Sequence, residues 1–151
     1  MLQGITCYVD TSTEPHNPAH NTKPAGLGIL IVNMQTQPES KIHIKAILQD
    51  TSSAIMPEAA AVALAAKIFN IMQVTEAQIL SDNITLLQFL NDQDRNHPPD
   101  WRMKPYIQDF DVCSQNSTIT TYKISRENNE EVDLLARQAL AFSLTRHLRI
   151  P

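Results

Sequence analysis

The sequence predicts a mixed α/β fold, with three strands, a helix, a strand, one or two short helices, a strand and a closing helix. Three observations predict it. The first part of the chain carries β-type patterns whose links suit an antiparallel meander. From Pro57 the apolar period becomes helical. Beyond that helix, strand-like and helix-like segments alternate, as α/β units do. At 151 residues the chain suits one domain, 1–151, large enough to bury most of its apolar surface around one core.

Each element follows from its residues. In ITCYVD, Ile5, Cys7 and Val9 share one face and Thr6, Tyr8 and Asp10 the other, giving a strand that ends on a carboxylate. Residues 11–25 are polar and punctuated by proline, which makes them a loop. LGILIVN is short and continuously apolar, as a central strand covered on both faces should be. KIHIKAIL sets Ile42, Ile44 and Ala46 against Lys41, His43 and Lys45, a third strand with one wetter face. Pro57 suits a helix start, where its missing N–H costs nothing, and the helix runs to about Met72. Between Glu58 and Lys67 that helix is apolar on every face, so it belongs in the interior. AQILSD reads as a buried strand with Asp82 at its end, and NITLLQFLND as a short helix with Leu86, Leu87 and Leu90 inward. RNHPPD breaks that helix, and WRMKPYIQDF forms another, with Trp101 packed inward. STITTYKI is the fifth strand. The last helix turns Val132, Leu135, Ala136, Ala139 and Leu140 inward, and residues 143–151, with Arg146 and Arg149, form a solvated tail, phosphate contact being the alternative.

The totals exclude several functions. A net charge of −4 argues against coating nucleic acid by charge alone, but not against an enzyme that gathers carboxylates around divalent metal. No apolar run approaches the roughly 20 residues of a bilayer span, and MLQGITCYVD is not a secretory signal. Cys7 and Cys113 lack metal-like spacing and read as reduced thiols of an intracellular protein, nuclear or cytoplasmic. The sequons at Asn83 and Asn116 are then chance matches. Pro15 and Pro18 interrupt any helical pairing of His16 with His20, so zinc is not expected there. Ser125 has no nucleophile's setting. A monomer without a membrane anchor is expected.

Four carboxylates stand at element ends. Asp10 ends the first strand, Glu58 opens the interior helix, Asp82 ends the fourth strand and Asp133 lies in the first turns of the last helix. Each has an ordinary alternative. Asp82 can cap the next helix, Glu58 can answer the helix dipole, Asp133 can pair with Arg137, and Asp10 can begin a turn with Thr11 and Ser12. Converging without cations, the four would repel and raise one another's pKa values. Mg²⁺ resolves that conflict, because it takes oxygen ligands and retains waters and substrate phosphates.

Five blocks in order carry a family resemblance: YVDTS, GLGILIV, MPEAAAVALAA, LSDNITLLQFL and ISRENNEEVDLLARQAL. Together they resemble the ribonuclease H family over about residues 4 to 142, in the version found in plant genomes and retroelements. The resemblance implies a ribonuclease H-like fold: a five-stranded mixed sheet, its first three strands antiparallel, with helices on both faces. It implies cleavage of the RNA strand of RNA–DNA hybrids with two Mg²⁺ or Mn²⁺ ions, held by Asp10, Glu58, Asp82 and Asp133 as catalytic residues. On the substrate side it points to Thr11, Ser12, Asn83, Lys123, Arg126 and Asn129.

The chain also departs from the family. Lys123 stands where many members carry a His, and Lys is a poor proton shuttle near neutral pH. Thr11 replaces the Gly that often follows the first Asp. No basic, Trp-rich substrate handle stands between the second and third helices; WRMKPY is the nearest segment, with substrate contact the alternative to a surface helix with Trp101 packed inward. These departures keep open a ribonuclease H-like module that binds nucleic acid or a protein partner and turns over poorly or not at all. An exonuclease or strand-transfer enzyme is a further alternative, which the order of the four acids disfavours.

Overall fold

The computed structural model describes residues 4–14, 23–92, 95 and 97–148. Strands β1 (Ile5–Thr13), β2 (Lys23–Asn33) and β3 (Ser40–Thr51) form the antiparallel meander. Helix α1 (Ile55–Met72) leads to β4 (Glu76–Ser81), and α2 (Ile84–Leu90) and α3 (Lys104–Cys113) lead to β5 (Thr118–Lys123). Helix α4 (Glu130–Leu148) closes the chain. The sheet order is β3-β2-β1-β4-β5, with β4 parallel to both β1 and β5. This is the mixed sheet the sequence predicts.

Helices cover both faces. Ile5, Cys7 and Val9 of β1 meet Ala59, Val62, Ala66 and Phe69 of α1 in the main core, with α3 packed behind through Ile107 and Phe110. Small side chains let α1 lie close to the sheet, and the full burial of Phe69 contributes about 1.5–3 kcal/mol. By length and composition alone α1 resembles a membrane span, but much of it is buried inside this fold. On the other face, Leu30 and Val32 meet Val132 and Leu135 of α4.

Two glycines set how close α4 comes. A Cβ at Gly26 would lie 2.0 Å from the Ala136 carbonyl oxygen, and one at Gly28 would lie 2.4 Å from that of Val132. Helix backbone therefore rests directly on strand backbone there.

Four expectations need correction. The proline-rich loop is shorter than 11–25, because Thr11, Ser12 and Thr13 continue β1 and pair with Leu27, Gly26 and Ala25. Threonine favours the pleated conformation, and the hairpin arms extend through it. His16 and His20 lie outside the described residues. The tail begins later than residue 143, since α4 runs to Leu148 and Ser143 is buried as the inward stripe continues. The side chains of Arg146 and Arg149 lie outside the described residues. Trp101 is 75% exposed rather than packed inward. Met103, Ile107 and Phe110 take the inward face at helical spacing, and Trp101 opens a 3-10 turn capped by Asp100, two residues before that stripe. Finally, α1 begins at Ile55, which makes Pro57 its third residue, still within the turn whose N–H groups lack helical partners.

Candidate active site

Strand β1 reaches past its neighbour. Its pairing with β4 stops at Tyr8–Leu80, so Asp10 projects beyond the end of β4. Across the hairpin Asp10 pairs with Gly28, one of the two glycines on which α4 rests. Asp82 follows Ser81, the last residue of β4. The capping role open to Asp82 falls instead to Asn83, whose Oδ1 accepts the Leu86 N–H at 2.9 Å. The Asp82 carboxylate thus stays clear of the helix, with Arg126 Nε 3.7 Å away.

Glu58 stands in the first turn of α1 and is 8% exposed. Its Oε1 accepts a 2.6 Å hydrogen bond from the Thr11 hydroxyl, while the Thr11 backbone N–H donates to Asp10 Oδ1 at 2.8 Å. Its other oxygen, Oε2, is buried with no protein partner. Asp10, Glu58 and Asp82 each place an oxygen within 4.8 Å of the other two. Asp133 adjoins Asp10 and accepts from Arg137 Nη2 at 2.8 Å. The four acids line one cavity of about 430 Å³, and Thr11, Arg126, Glu127, Glu130 and Arg137 complete its wall.

Burial pushes the Asp10 carboxyl up to about 7; the Thr11 N–H opposes the rise, and Asp82, Glu58 and Asp133 add to it. Burial likewise pushes Glu58 up to about 7, opposed by the Thr11 hydroxyl, reinforced by Asp82 and opposed again by Arg126. Such a cluster favours a positive guest. Three close carboxylates, one with an orphaned buried oxygen, fit a hard divalent cation that takes oxygen ligands.

The remaining sequence candidates separate. Thr11 belongs to the site as the tie between Asp10 and Glu58. Arg126 lines the cavity, whereas Lys123 is exposed at the end of β5 outside its lining, as is the half-buried Ser12. Asn83 is a helix cap. Asn129 is buried, and its Nδ2 donates to the Val9 carbonyl at 3.1 Å, pinning the start of α4 to β1. Arg137, Glu127 and Glu130 were not read as site residues. Arg137 was legible only as an i, i+4 partner of Asp133, and Glu130 carried the signal of standing one turn before it.

The chain is thus a mixed α/β protein with a carboxylate site where β1 passes the end of β4 and the first turns of α1 and α4 meet it. No family profile matches the sequence, and no curated protein matches it. Solved structures do match. RNase H1 from the halophilic archaeon Halobacterium salinarum NRC-1 superposes with a TM-score of 0.72 at 16% identity, over 91% of this chain and 97% of that one. LC11-RNase H1, isolated from compost and solved with an RNA/DNA hybrid, gives 0.74 at 17% identity over 93% and 99%. The PFV RNase H domain gives 0.73 at 17% identity over 94% and 97%. The chain therefore has the ribonuclease H-like fold.

Proposed function

We propose that this protein is a metal-dependent endoribonuclease that cleaves the RNA strand of RNA–DNA hybrids. The observation that carries the reading is the buried, unpartnered Oε2 of Glu58, beside Asp10 and Asp82 in a cavity walled by acids. The LC11 enzyme of like fold was solved with such a hybrid, which supports the substrate class. Asp10, Glu58, Asp82 and Asp133 would hold two Mg²⁺ or Mn²⁺ ions. Bound there, the ions would supply an activated water and stabilise the leaving 3′-oxygen. Thr11 fixes the orientation of two of the four acids, and Arg126 and Arg137 offer guanidinium forks to phosphate oxygens. RNA would be recognised through its 2′-hydroxyls and duplex shape.

The test is a labelled RNA–DNA hybrid incubated with the protein and Mg²⁺ or Mn²⁺, with Asp10→Asn as control. Cleavage that the substitution abolishes is expected; no cleavage with either metal, or undiminished cleavage by the variant, overturns the reading. One observation favours a second reading, a hybrid-binding module of slow turnover: among the described residues no histidine lines the cavity, and Arg126 cannot shuttle a proton. Binding with a steep salt slope and no cleavage would select it.

A further inference from the structure

We propose that Arg137 is a resident counter-charge on Asp133 Oδ2, so that Asp10, Glu58 and Asp82 take a first divalent cation and a second binds only as Arg137 releases Asp133. This deepens the nuclease reading and rests on it for the kind of guest the cavity takes. The three acids already have oxygens within 4.8 Å of one another, and Asp133 is not in that group although it lines the same cavity. The unpartnered Oε2 of Glu58 is an independent sign of a guest at the three-acid end.

Asp133 is held by its arginine more closely than Asp82 is by Arg126, at 2.8 Å against 3.7 Å. Arg137 lies one turn further along α4 and donates to Asp133 Oδ2 at 2.8 Å, a pairing that helix geometry supplies without rearrangement. The Arg137 side chain is 70% exposed, so water can take up its guanidinium when the pair opens. The bond thus competes with a cation for Asp133 without excluding one. Once free, the guanidinium still lies at the cavity wall, where its planar fork suits a phosphate oxygen of an entering strand. Substrate phosphate would draw Arg137 from Asp133 and so favour the second cation. In the resting site Arg137 is a positioning residue.

The test is calorimetric titration of Mn²⁺ into the whole protein, without nucleic acid and at low salt. Wild type should show a tighter and a weaker step. Arg137→Gln should tighten the weaker step about two- to five-fold, more than it tightens the first. Arg137→Lys, which keeps the positive charge, should stay near wild type, and Asp133→Asn should remove the weaker step. An unchanged or weakened second step in Arg137→Gln overturns the proposal. So does equal tightening of both steps, which a general loss of positive charge would give, or a single step in wild type. Failure of the nuclease reading would appear separately, as absent hybrid cleavage while the Mn²⁺ steps persist.

Discussion

Thr11 holds Glu58 across 47 positions of sequence: its hydroxyl donates to Glu58 Oε1 at 2.6 Å, while its own N–H donates to Asp10 Oδ1. One threonine thus couples strand β1 to the head of helix α1 at the two most deeply buried acids of the site. The hydroxyl opposes the rise in the Glu58 pKa, so its removal should raise that pKa further and leave the carboxylate unanchored. A hydrogen bond to a charged group is worth about 1.5–3 kcal/mol, so its full loss would weaken cation binding by about ten- to a hundredfold. Thr11→Val should therefore shrink the Mg²⁺-induced rise in Tm near pH 7, and Thr11→Ser should retain it. Equal rises in wild type and Thr11→Val would show that the bond does not prepare the site.

Asp10 and Glu58 also set a pH dependence with a definite sign. Their carboxyls move from ordinary values of 3.8 and 4.5 to about 7 in the folded protein. Between those limits the folded state holds protons that the unfolded chain has lost. Stability without metal is then greatest below the unfolded values, falls as pH rises through the window and levels off above about 7. Divalent cation binds the charged carboxylates, so it should oppose that fall. Thermal melts in EDTA should show the decline, Mg²⁺ should raise Tm more at about pH 8 than at about pH 5, and Asp10→Asn with Glu58→Gln should flatten both effects. A wild-type Tm in EDTA that tracks the double variant across the window would contradict this.

Much of this was legible in the sequence because periodicity reports burial. The order of elements, the interior α1 and the inward stripe of α4 all follow from where apolar residues recur. Glu58 in the first turn of α1 and Asp82 just after β4 were legible for the same reason, since each stands where an apolar pattern begins or stops, whereas Asp10 lies inside β1, which runs on to Thr13. What local pattern could not supply was the competition among neighbours. Asn83 and Asp82 were both able to cap α2, and only the fold assigns the cap to Asn83. Asn129 is polar and precedes a helix, so it reads like a ligand contact, and only the fold shows that its Nδ2 is bound to the Val9 carbonyl of a strand 120 residues away. Trp101 was expected inside because large aromatics usually bury area, but Met103, Ile107 and Phe110 already fill that face. Lys123 occupies the expected sequence position without lining the cavity, and Arg126 lines it instead.

The close seat of α4 on β2 should be intolerant of even one methyl group. A Cβ at Gly28 would meet the Val132 carbonyl oxygen at 2.4 Å and the Ala136 nitrogen at 2.8 Å, and backbone cannot step aside as a flexible side chain can. Gly28→Ala should cost about 2–3 kcal/mol, a loss of roughly 5–10 °C in Tm. Gly28 pairs with Asp10 and Asp133 is the residue after Val132, so a displaced α4 should also carry Asp133 away from Asp10. The variant should weaken the second Mn²⁺ step more than the first. A variant as stable as wild type would mean that the helix does not rest on this glycine.

Trp101 offers a direct reading of where nucleic acid lies. It is the single tryptophan of the chain, it is 75% exposed, and Arg102 lies 6.0 Å from its ring centre. Arg102 is already committed, with Nε and Nη2 on the Asp100 carboxylate and Nη1 on Ser52, so the ring rather than this guanidinium is the free element. Beside it, Met56, Pro105 and Tyr106 line an apolar hollow of about 620 Å³, with the Lys104 cation at its edge. An exposed ring contributes little to folding, so Trp101→Ala should change stability by no more than about 0.5 kcal/mol. Stacking on a base is worth about 1–3 kcal/mol, so the same substitution should weaken hybrid binding by roughly tenfold if a base or sugar covers the ring. Because there is no second tryptophan, emission from the intact protein should be red-shifted and should quench on titration with a non-cleavable hybrid in Ca²⁺. Unaltered emission at saturating hybrid, together with unaltered affinity in Trp101→Ala, would place the substrate away from this surface and confine it to the groove beside the four acids.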